Sequence, residues 1–145
     1  YLFCEIAKKF KIKNVEFKIY GDGSQLAPLK KKYNTIITFK GWKKPNEIYS
    51  NTDILLICSP VNNYPYAALE AKNYGIPVIS CSKGDIRKII KNNIDGYICK
   101  NNKEDFIKKI RLTKKRYSTL TRNTLNTRRN FEFNKLMNKF WIKYL

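Results

Sequence analysis

Short apolar runs alternate with amphipathic segments along most of the chain. The runs are rich in β-branched and aromatic residues, and they predict strands at residues 15–20, 36–39, 53–58, 77–80 and 97–99. The segments between them carry apolar residues at helical spacing and predict helices at residues 1–13, 25–33, 45–50, 65–74 and 86–92. Strands that alternate with helices are typical of right-handed βαβ units. We therefore predict an α/β fold with a Rossmann-like parallel sheet and helices on both faces.

From Lys103 onward the pattern is helical and basic. We predict one domain over residues 1–145, with a core at about 15–112 and a helical extension at about 113–145. The last segment, residues 133–145, has aromatic residues at helical spacing with Lys residues among them. We expect this helix to pack its aromatic face on protein; the alternative is a helix that lies on an anionic membrane surface. Because the chain begins at Tyr1 rather than Met, and within a predicted helix, we expect a fragment of a longer protein.

The charge of the chain is strongly positive, at +19, from 30 Lys and Arg residues against 11 Asp and Glu residues. The Lys residues are scattered along the whole chain, so we interpret most of them as solvated surface charge. Attraction to anionic lipid or to an anionic substrate is an alternative. No nucleic-acid motif is recognisable, and we expect no nucleic-acid partner. No apolar run reaches the roughly 18 residues of a membrane-spanning helix. We expect a cytoplasmic protein, with peripheral contact at the inner face of the cell membrane as a further option.

Metal-ligating residues are few in this sequence. The chain has four Cys residues, which are widely spaced and form no Cys-x-x-Cys pair, and it has no His. These features argue against a zinc site. With no close pair of carboxylates either, we expect no metal and no other cofactor. We interpret the cysteines as reduced residues of the core.

Ligands of open parallel sheets bind beyond the carboxyl ends of the strands. Chemically suggestive turns follow four of the predicted strands, at residues 21–24, 41–42, 59–64 and 80–84. The turn Gly21-Asp22-Gly23-Ser24 could let the backbone approach a phosphate or sugar closely, or it could be an ordinary turn. Trp42, which follows Gly41, could stack on a base or cap the core.

A phosphate site is predicted where Asn62, Asn63 and Tyr64 lead into the helix that Pro65 opens. Proline suits the first helical position, and the N–H groups of the first turn, together with the helix dipole, attract an anion. Glu70 lies little more than one turn further on in an otherwise apolar helix. A carboxylate there either binds the hydroxyl groups of a ligand or pairs with a neighbouring Lys. Together these features indicate a site for a sugar-phosphate or nucleotide.

Eight short segments follow one another in a distinctive order over about residues 15–110. They are Phe17-Lys18-Ile19-Tyr20-Gly21-Asp22-Gly23-Ser24, Ile37-Thr38-Phe39-Lys40-Gly41, Ile48-Tyr49-Ser50-Asn51-Thr52-Asp53-Ile54, Ser59-Pro60, Asn63-Tyr64-Pro65, Leu69-Glu70-Ala71, Gly75-Ile76-Pro77-Val78-Ile79 and Asn93-Ile94-Asp95-Gly96-Tyr97. In order and spacing they resemble the C-terminal, donor-binding half of a GT-B-fold glycosyltransferase of family 4, also described as glycosyl transferases group 1.

The resemblance implies transfer of a sugar from a nucleotide-sugar, such as a UDP-sugar, to a glycan or lipid-linked acceptor in cell-envelope polysaccharide synthesis. It implies retention at the anomeric carbon, no bound metal, and an acceptor-binding N-terminal half that this chain lacks. The implied nucleotide-binding residues are Gly21, Asp22, Gly23, Ser24, Gly41, Trp42 and Glu70. The implied diphosphate- and sugar-binding residues are Asn62, Asn63, Tyr64 and Pro65.

Two departures from the family pattern bear on activity. Glu70 matches the second Glu of the family's Glu-x7-Glu pattern, which binds the ribose, but the first Glu of that pattern is here Asn62. The family's Arg and Lys that neutralise the diphosphate lie upstream of the Gly-Asp-Gly strand, and residues 1–14 do not match them. We expect this chain alone to bind a nucleoside diphosphate weakly and to transfer no sugar.

Three other functions stay open at this point. One is a degenerate, binding-only domain, marked by Asn62. Another is a nucleotide-sugar epimerase of the same fold, which would need no separate acceptor. The third is a basic surface-binding domain with no nucleotide. No residue stands out as a general base, and the catalytic residues are not predicted.

Overall fold

The structure, a computed structural model, describes residues 1–10, 12, 14–61 and 65–128. The predicted helix at 133–145 and the predicted site residues Asn62, Asn63 and Tyr64 lie outside the described residues. The elements, in chain order, are α1 (Leu2–Lys9), β1 (Lys18–Ile19), α2 (Leu26–Tyr33), β2 (Thr38–Phe39), α3 (Pro45–Tyr49), β3 (Leu55–Ile57), α4 (Tyr66–Asn73), β4 (Val78–Ser80), α5 (Ile86–Ile89), β5 (Gly96–Ile98), α6 (Lys103–Lys115) and α7 (Tyr117–Arg128).

The strands and helices alternate as the hydrophobic pattern predicts. Each predicted strand is present. Four of them are shorter than predicted, whereas β5 has the predicted length and begins one residue earlier. Four helices also end earlier than predicted, α3 and α4 by one residue each and α1 and α5 by more. The helix predicted to residue 92 ends at Ile89, where Ile90 turns to an extended conformation, and α1 ends at Lys9, where Phe10 does the same. The helical pattern after Lys103 divides into α6 and α7 at Arg116.

All strand pairs are parallel, which confirms the predicted α/β architecture. Hydrogen bonds divide the strands into two groups, β1-β2 and β3-β4-β5. Lys18 pairs with Thr38 in the first group, and Leu55 pairs with Val78 in the second. The predicted single sheet is therefore interrupted between β1 and β3.

Helices cover both faces of these strands, as predicted. One apolar cluster, which we call the first face, takes buried residues from α1, α2 and α6, and Leu120 of α7 also belongs to it. A second cluster, the second face, takes its helical residues from α3, α4 and α5. Residues of β3 alternate between the two, since Leu56 packs on the first face whereas Leu55 and Ile57 pack on the second. Because α1 contributes Cys4 and Ile6, the core extends beyond the predicted 15–112 range.

Candidate functional site

The turns that follow β1 and β2 are joined by a backbone hydrogen bond. The Gly21 N–H donates to the Gly41 carbonyl at 2.7 Å. Both glycines have positive φ, +107° at Gly21 and +65° at Gly41, and no atom lies within 4 Å of where a Cβ would stand. Glycine is therefore favoured here by the backbone conformation rather than by lack of space. The turn after β1 is open to solvent, with Asp22, Gly23 and Ser24 exposed.

The turns that follow β3 and β4 are joined in the same way. Val61 and Lys83 form an isolated parallel bridge, and the Lys83 N–H donates to the Pro60 carbonyl at 3.1 Å. The Ser82 hydroxyl donates to the Ser59 carbonyl, and the Ser59 hydroxyl donates to the Val61 carbonyl at 2.8 Å. These bonds fix the chain as it leaves β3, just before Asn62, Asn63 and Tyr64.

Helix α4 begins one residue later than predicted. Pro65 is its N-cap, with ψ of 82°, and Tyr66 is the first helical residue. The Ala68 N–H bonds to the Pro65 carbonyl at 2.9 Å, which closes the first turn. Pro65 is buried, and the N-terminal end of α4 lies at the carboxyl edge of β3, where a helix start favours an anion.

Glu70 is half-buried on α4, and its partner is a tyrosine. The Tyr49 hydroxyl donates to Glu70 Oε2 at 2.8 Å, and it also lies 3.4 Å from the Ala67 carbonyl. Burial, the hydrogen bond to Glu70 and the charge of Glu70 all raise the pKa of Tyr49, so its hydroxyl keeps its proton and remains a donor. The sequence left two roles open for Glu70, binding of ligand hydroxyl groups and pairing with a Lys. The structure adds a contact that neither role includes, the hydrogen bond from Tyr49.

Tyr49 is the site-adjacent residue that sequence reasoning missed. It ends the short helix α3, which begins three residues after Trp42, and its ring packs against Tyr74 with centroids 5.4 Å apart. Helix α3 therefore links the turn at Gly41 to the carboxylate on α4. In the sequence, Tyr49 is visible only as an aromatic residue with a hydroxyl group. No sequence pattern pairs it with Glu70.

Trp42 is 67% exposed, so it does not cap the core. Of the two roles considered for this residue, stacking on a base is the one that its exposure leaves open. Tyr66, in the first turn of α4, and Val61 are also exposed at the same edge of the strands.

A buried ion pair supports the helix that carries Glu70. Lys72 Nζ lies 2.8 Å from Asp95 Oδ2, with the two side chains 4% and 0% exposed. Lys72 also donates to the Ile89 carbonyl at 2.7 Å, and Thr127 of α7 donates to Asp95 at 2.8 Å. This cluster joins α4 to α5, to the turn before β5 and to α7.

The described residues include no group of three Cys, Asp or Glu side chains placed to hold a metal ion. All four cysteines are free, and burial raises the pKa of the Cys58 and Cys99 thiols to about 12 each. Protonated thiols are poor nucleophiles. Among the residues described, no helix is long and apolar enough to cross a membrane.

The arrangement as a whole suits a phosphorylated ligand with hydroxyl groups. Glycine turns, a helix start and a half-buried carboxylate lie near the carboxyl ends of parallel strands, where such sheets bind ligands. Parallel strands with helices on both faces, and glycine turns at the strand ends, place the chain among Rossmann-like domains of the kind that bind nucleotides. The chain belongs to the family of glycosyl transferases group 1, whose family model matches residues 2–130.

Comparison with known proteins agrees with this assignment. A galactosyltransferase from Escherichia coli, the UDP-Gal:alpha-D-GlcNAc-diphosphoundecaprenol alpha-1,3-galactosyltransferase, is 32% identical in an alignment 97 residues long that covers 61% of this chain and 25% of that protein. The pneumococcal O-GlcNAc transferase GtfA, solved with UDP and GlcNAc, superposes with a TM-score of 0.78 at 19% identity, over 98% of this chain and 31% of its own. HepE from Anabaena, solved with UDP and glucose, superposes with a TM-score of 0.77 at 13% identity, over 99% of this chain and 43% of its own.

These proteins are all much longer than the chain described. It spans a quarter of the Escherichia coli relative and less than half of either solved structure. The likeness to the solved structures shows that the chain has the GT-B fold. The family match confirms the family that the sequence motifs resemble.

Proposed function

We propose that this chain is the donor-binding half of a glycosyltransferase that moves a sugar from a nucleotide-sugar to a glycan or lipid-linked acceptor. The observation that carries the proposal is the half-buried Glu70 carboxylate, fixed by Tyr49, one turn inside a helix that begins at the carboxyl edge of the strands. A fixed carboxylate recognises paired hydroxyl groups such as those of a ribose, because both of its oxygens accept hydrogen bonds.

The proposed donor is a UDP-sugar. Two structural neighbours, GtfA and HepE, were solved with UDP, and the Escherichia coli relative is named for UDP-Gal. In this chain, Glu70 would bind the ribose, and the turns at Gly21–Ser24 and Gly41–Trp42 would lie beside the nucleotide. The exposed Trp42 ring is free to stack on the base. Pro65 and the preceding Asn62, Asn63 and Tyr64 would contact the diphosphate and the donor sugar.

The proposed chemistry is mainly electrostatic. The leaving group is a nucleoside diphosphate, whose negative charge grows as its bond to the sugar breaks. Backbone N–H groups at the start of α4 would stabilise that charge. The proposed mechanism needs no metal cofactor. From the family resemblance, we also propose that the configuration at the anomeric carbon is retained.

The proposal for the whole protein includes an acceptor-binding half outside this chain. The acceptor named for the Escherichia coli relative is a sugar linked to a lipid diphosphate. A lipid-linked acceptor of this kind, together with a net charge of +19, favours a cytoplasmic enzyme of cell-envelope polysaccharide synthesis that contacts an anionic membrane surface.

A thermal-shift screen of residues 1–145 against UDP, ADP, GDP and a panel of nucleotide-sugars tests the donor assignment. We expect a small, saturable increase in melting temperature with UDP and UDP-sugars, and no sugar transfer to any acceptor. The Glu104→Gln variant, which changes an exposed carboxylate that is not among the proposed site residues, serves as the matched control. No shift with any nucleotide would contradict the proposal and favour a basic surface-binding domain. Conversion of the UDP-sugar to an epimer would favour the epimerase.

A further inference from the structure

The basic residues are distributed unevenly between the two faces of the sheet, although they are scattered along the sequence. Helix α1 exposes Lys8 and Lys9, α2 exposes Lys30, Lys31 and Lys32, and α6 exposes four more basic residues between positions 108 and 115. All three helices pack on the first face. Among their residues, every one of which the structure describes, Glu104 is the only exposed acidic residue.

These three helices are joined into one layer, in which α1 links α2 to α6. The Tyr33 hydroxyl at the end of α2 donates to Glu5 Oε1 of α1 at 3.1 Å. Lys9 Nζ at the end of α1 lies 3.2 Å from Glu104 Oε1 of α6. We call the outer surface of α1, α2 and α6 the basic layer. Both carboxylates have partners within it, so they leave most of its positive charge uncompensated.

The helices on the second face carry no comparable charge. Helix α5 exposes Arg87 and Lys88, α3 exposes Glu47, and α4 exposes no charged residue. Lys88 is also paired with Asp85, at 2.7 Å. Among α1 to α6, the exposed positive charge is thus concentrated on the face opposite the one on which α4 and its Glu70 pack.

Helix dipoles account for part of this arrangement. The last turns of α1, α2 and α6 are all basic, and the partial negative charge of a helix end stabilises cations there. Lys108 and Arg111 lie in the interior of α6, where the dipole gives no such stabilisation. Like charges gathered on one surface also repel one another, and an anionic partner relieves that repulsion.

The composition of the basic layer favours a diffuse anionic surface as its partner. Arg111 is the only Arg among the exposed residues of the three helices, and Lys attracts anions without the fixed geometry that Arg offers to a phosphate or base. The aromatic residues of these helices, Phe3, Tyr33 and Phe106, are not exposed. The layer therefore has neither a platform on which bases stack nor the apolar centre of a protein interface.

We propose that the basic layer docks this protein on an anionic lipid bilayer. The choice of a membrane rests in part on the proposed function, with its lipid-linked acceptor, whereas the place of contact rests on the charges of α1, α2 and α6. Lys residues near a membrane surface are attracted to its anionic lipids. Because the layer has no exposed aromatic side chain to insert, this attraction is screened by salt. Since α4 packs on the second face, docking leaves Glu70 free to meet a nucleotide.

Co-sedimentation of the chain of residues 1–145 with lipid vesicles tests the proposal. The vesicles contain about 30% phosphatidylglycerol in phosphatidylcholine, with pure phosphatidylcholine as the neutral reference. The test variant combines Lys30→Gln, Lys31→Gln and Lys32→Gln. The matched control combines Arg87→Gln, Lys88→Gln and Lys91→Gln, which removes the same charge from exposed residues in and after α5. A second test variant, Lys114→Gln with Lys115→Gln, changes α6 independently.

We expect the parent chain to bind only the anionic vesicles, and to lose this binding when NaCl is raised from about 0.1 M to about 0.5 M. The α2 variant should lower the partition coefficient at least tenfold and the α6 variant at least threefold, whereas the control should change it less than twofold. Equal losses in the α2 variant and the control would overturn the proposal, and so would equal binding to neutral vesicles or no binding at all.

Two further results would assign the binding elsewhere and overturn the proposal. One is binding that survives in both test variants but is lost when residues 133–145 are removed. The other is a DNA duplex that binds more tightly than the vesicles at the same salt concentration, with the same dependence on the α2 residues. The thermal shift with UDP is measured in parallel. A failure of vesicle binding with the UDP shift intact contradicts the docking surface alone, and the reverse result contradicts the proposed function alone.

Discussion

The Tyr49 hydroxyl donates a hydrogen bond of 2.8 Å to Glu70 Oε2, and this bond joins α3 to α4. The two residues are 21 positions apart in the sequence. The bond gives the Glu70 carboxylate a fixed orientation and occupies part of its accepting capacity, with further lone pairs still available to a ligand. Tyr49 is thus a positioning residue for the group that we propose binds the ribose.

Substitution of Tyr49 by Phe tests this positioning role. The ring and its packing on Tyr74 are kept, while the donor to Glu70 is lost. A hydrogen bond to a charged group contributes roughly 1.5–3 kcal/mol. Because Tyr49 acts on the nucleotide only through Glu70, we expect Tyr49→Phe to weaken UDP binding by less than this. The expected loss of affinity, measured by calorimetry, is about three- to tenfold. In a Glu70→Ala background the same substitution should change affinity by less than twofold. An equal loss in both backgrounds would show that Tyr49 acts on structure alone.

Glu70→Ala should weaken binding of any nucleotide, whichever sugar it carries. The loss of a charge-assisted hydrogen bond to the ribose corresponds to about 10- to 100-fold in affinity. The measurement is a titration with UDP and with a UDP-sugar, and Glu47→Ala, an exposed change on α3, is the control. If Glu70→Ala binds UDP as tightly as the parent chain does, Glu70 is a structural carboxylate held by Tyr49, and the ribose assignment is wrong.

Asn62→Ala should matter only when a sugar is attached to the nucleotide. Asn62 stands where the family pattern has a Glu, and its amide forms neutral hydrogen bonds worth roughly 0.5–1.5 kcal/mol. We expect at most about a tenfold loss for the UDP-sugar and no change for UDP. The same pair of titrations distinguishes the two, and an equal loss for both ligands would place Asn62 beside the diphosphate rather than the sugar.

Lys72→Met should strongly destabilise the fold. It leaves Asp95 as a buried charge without its cation, and breaking a buried ion pair costs about 3–5 kcal/mol. Lys88→Met is the control, because Lys88 pairs with Asp85 on the surface with its side chain 79% exposed, and such pairs contribute about 0–1 kcal/mol. Urea denaturation gives the free energy of unfolding of each variant, and its difference from that of the parent chain is the quantity compared. Similar values for the two variants would show that the Lys72–Asp95 pair adds little to stability.

Alkaline pH should destabilise the protein partly through Cys58. Burial raises the pKa of this thiol from 9.0 in the unfolded chain to about 12 in the folded protein. The folded state therefore holds the proton more tightly than the unfolded state does. The stabilisation that results is fully present below pH 9 and is lost as pH rises from 9 toward 12. The slope is at most about 1.4 kcal/mol per pH unit. We expect urea unfolding at pH 8 and 10.5 to show a smaller loss of stability in Cys58→Ala than in the parent chain. Identical losses would contradict the assigned shift.

The sequence by itself determined the class of fold and the position of the site along the chain. Apolar runs of three to six residues between amphipathic segments predict parallel α/β structure, because strand and helix periodicity are set by neighbours in the sequence. The end of α4 at Asn73, just before Gly75, is determined in the same local way. The turns at Gly21 and Gly41 were placed correctly beyond strand ends for the same reason.

Only the tertiary structure decided which of these groups meet. The bond between Tyr49 and Glu70, and the burial of Lys72 against Asp95, depend on how α3, α5 and α7 pack around α4. A Lys residue in a chain with 30 basic residues is predicted to be solvated, and only a partner brought in from a distant segment changes that. The interruption between β1 and β3 is also a tertiary property, since hydrophobic periodicity predicts strands but not which edges pair.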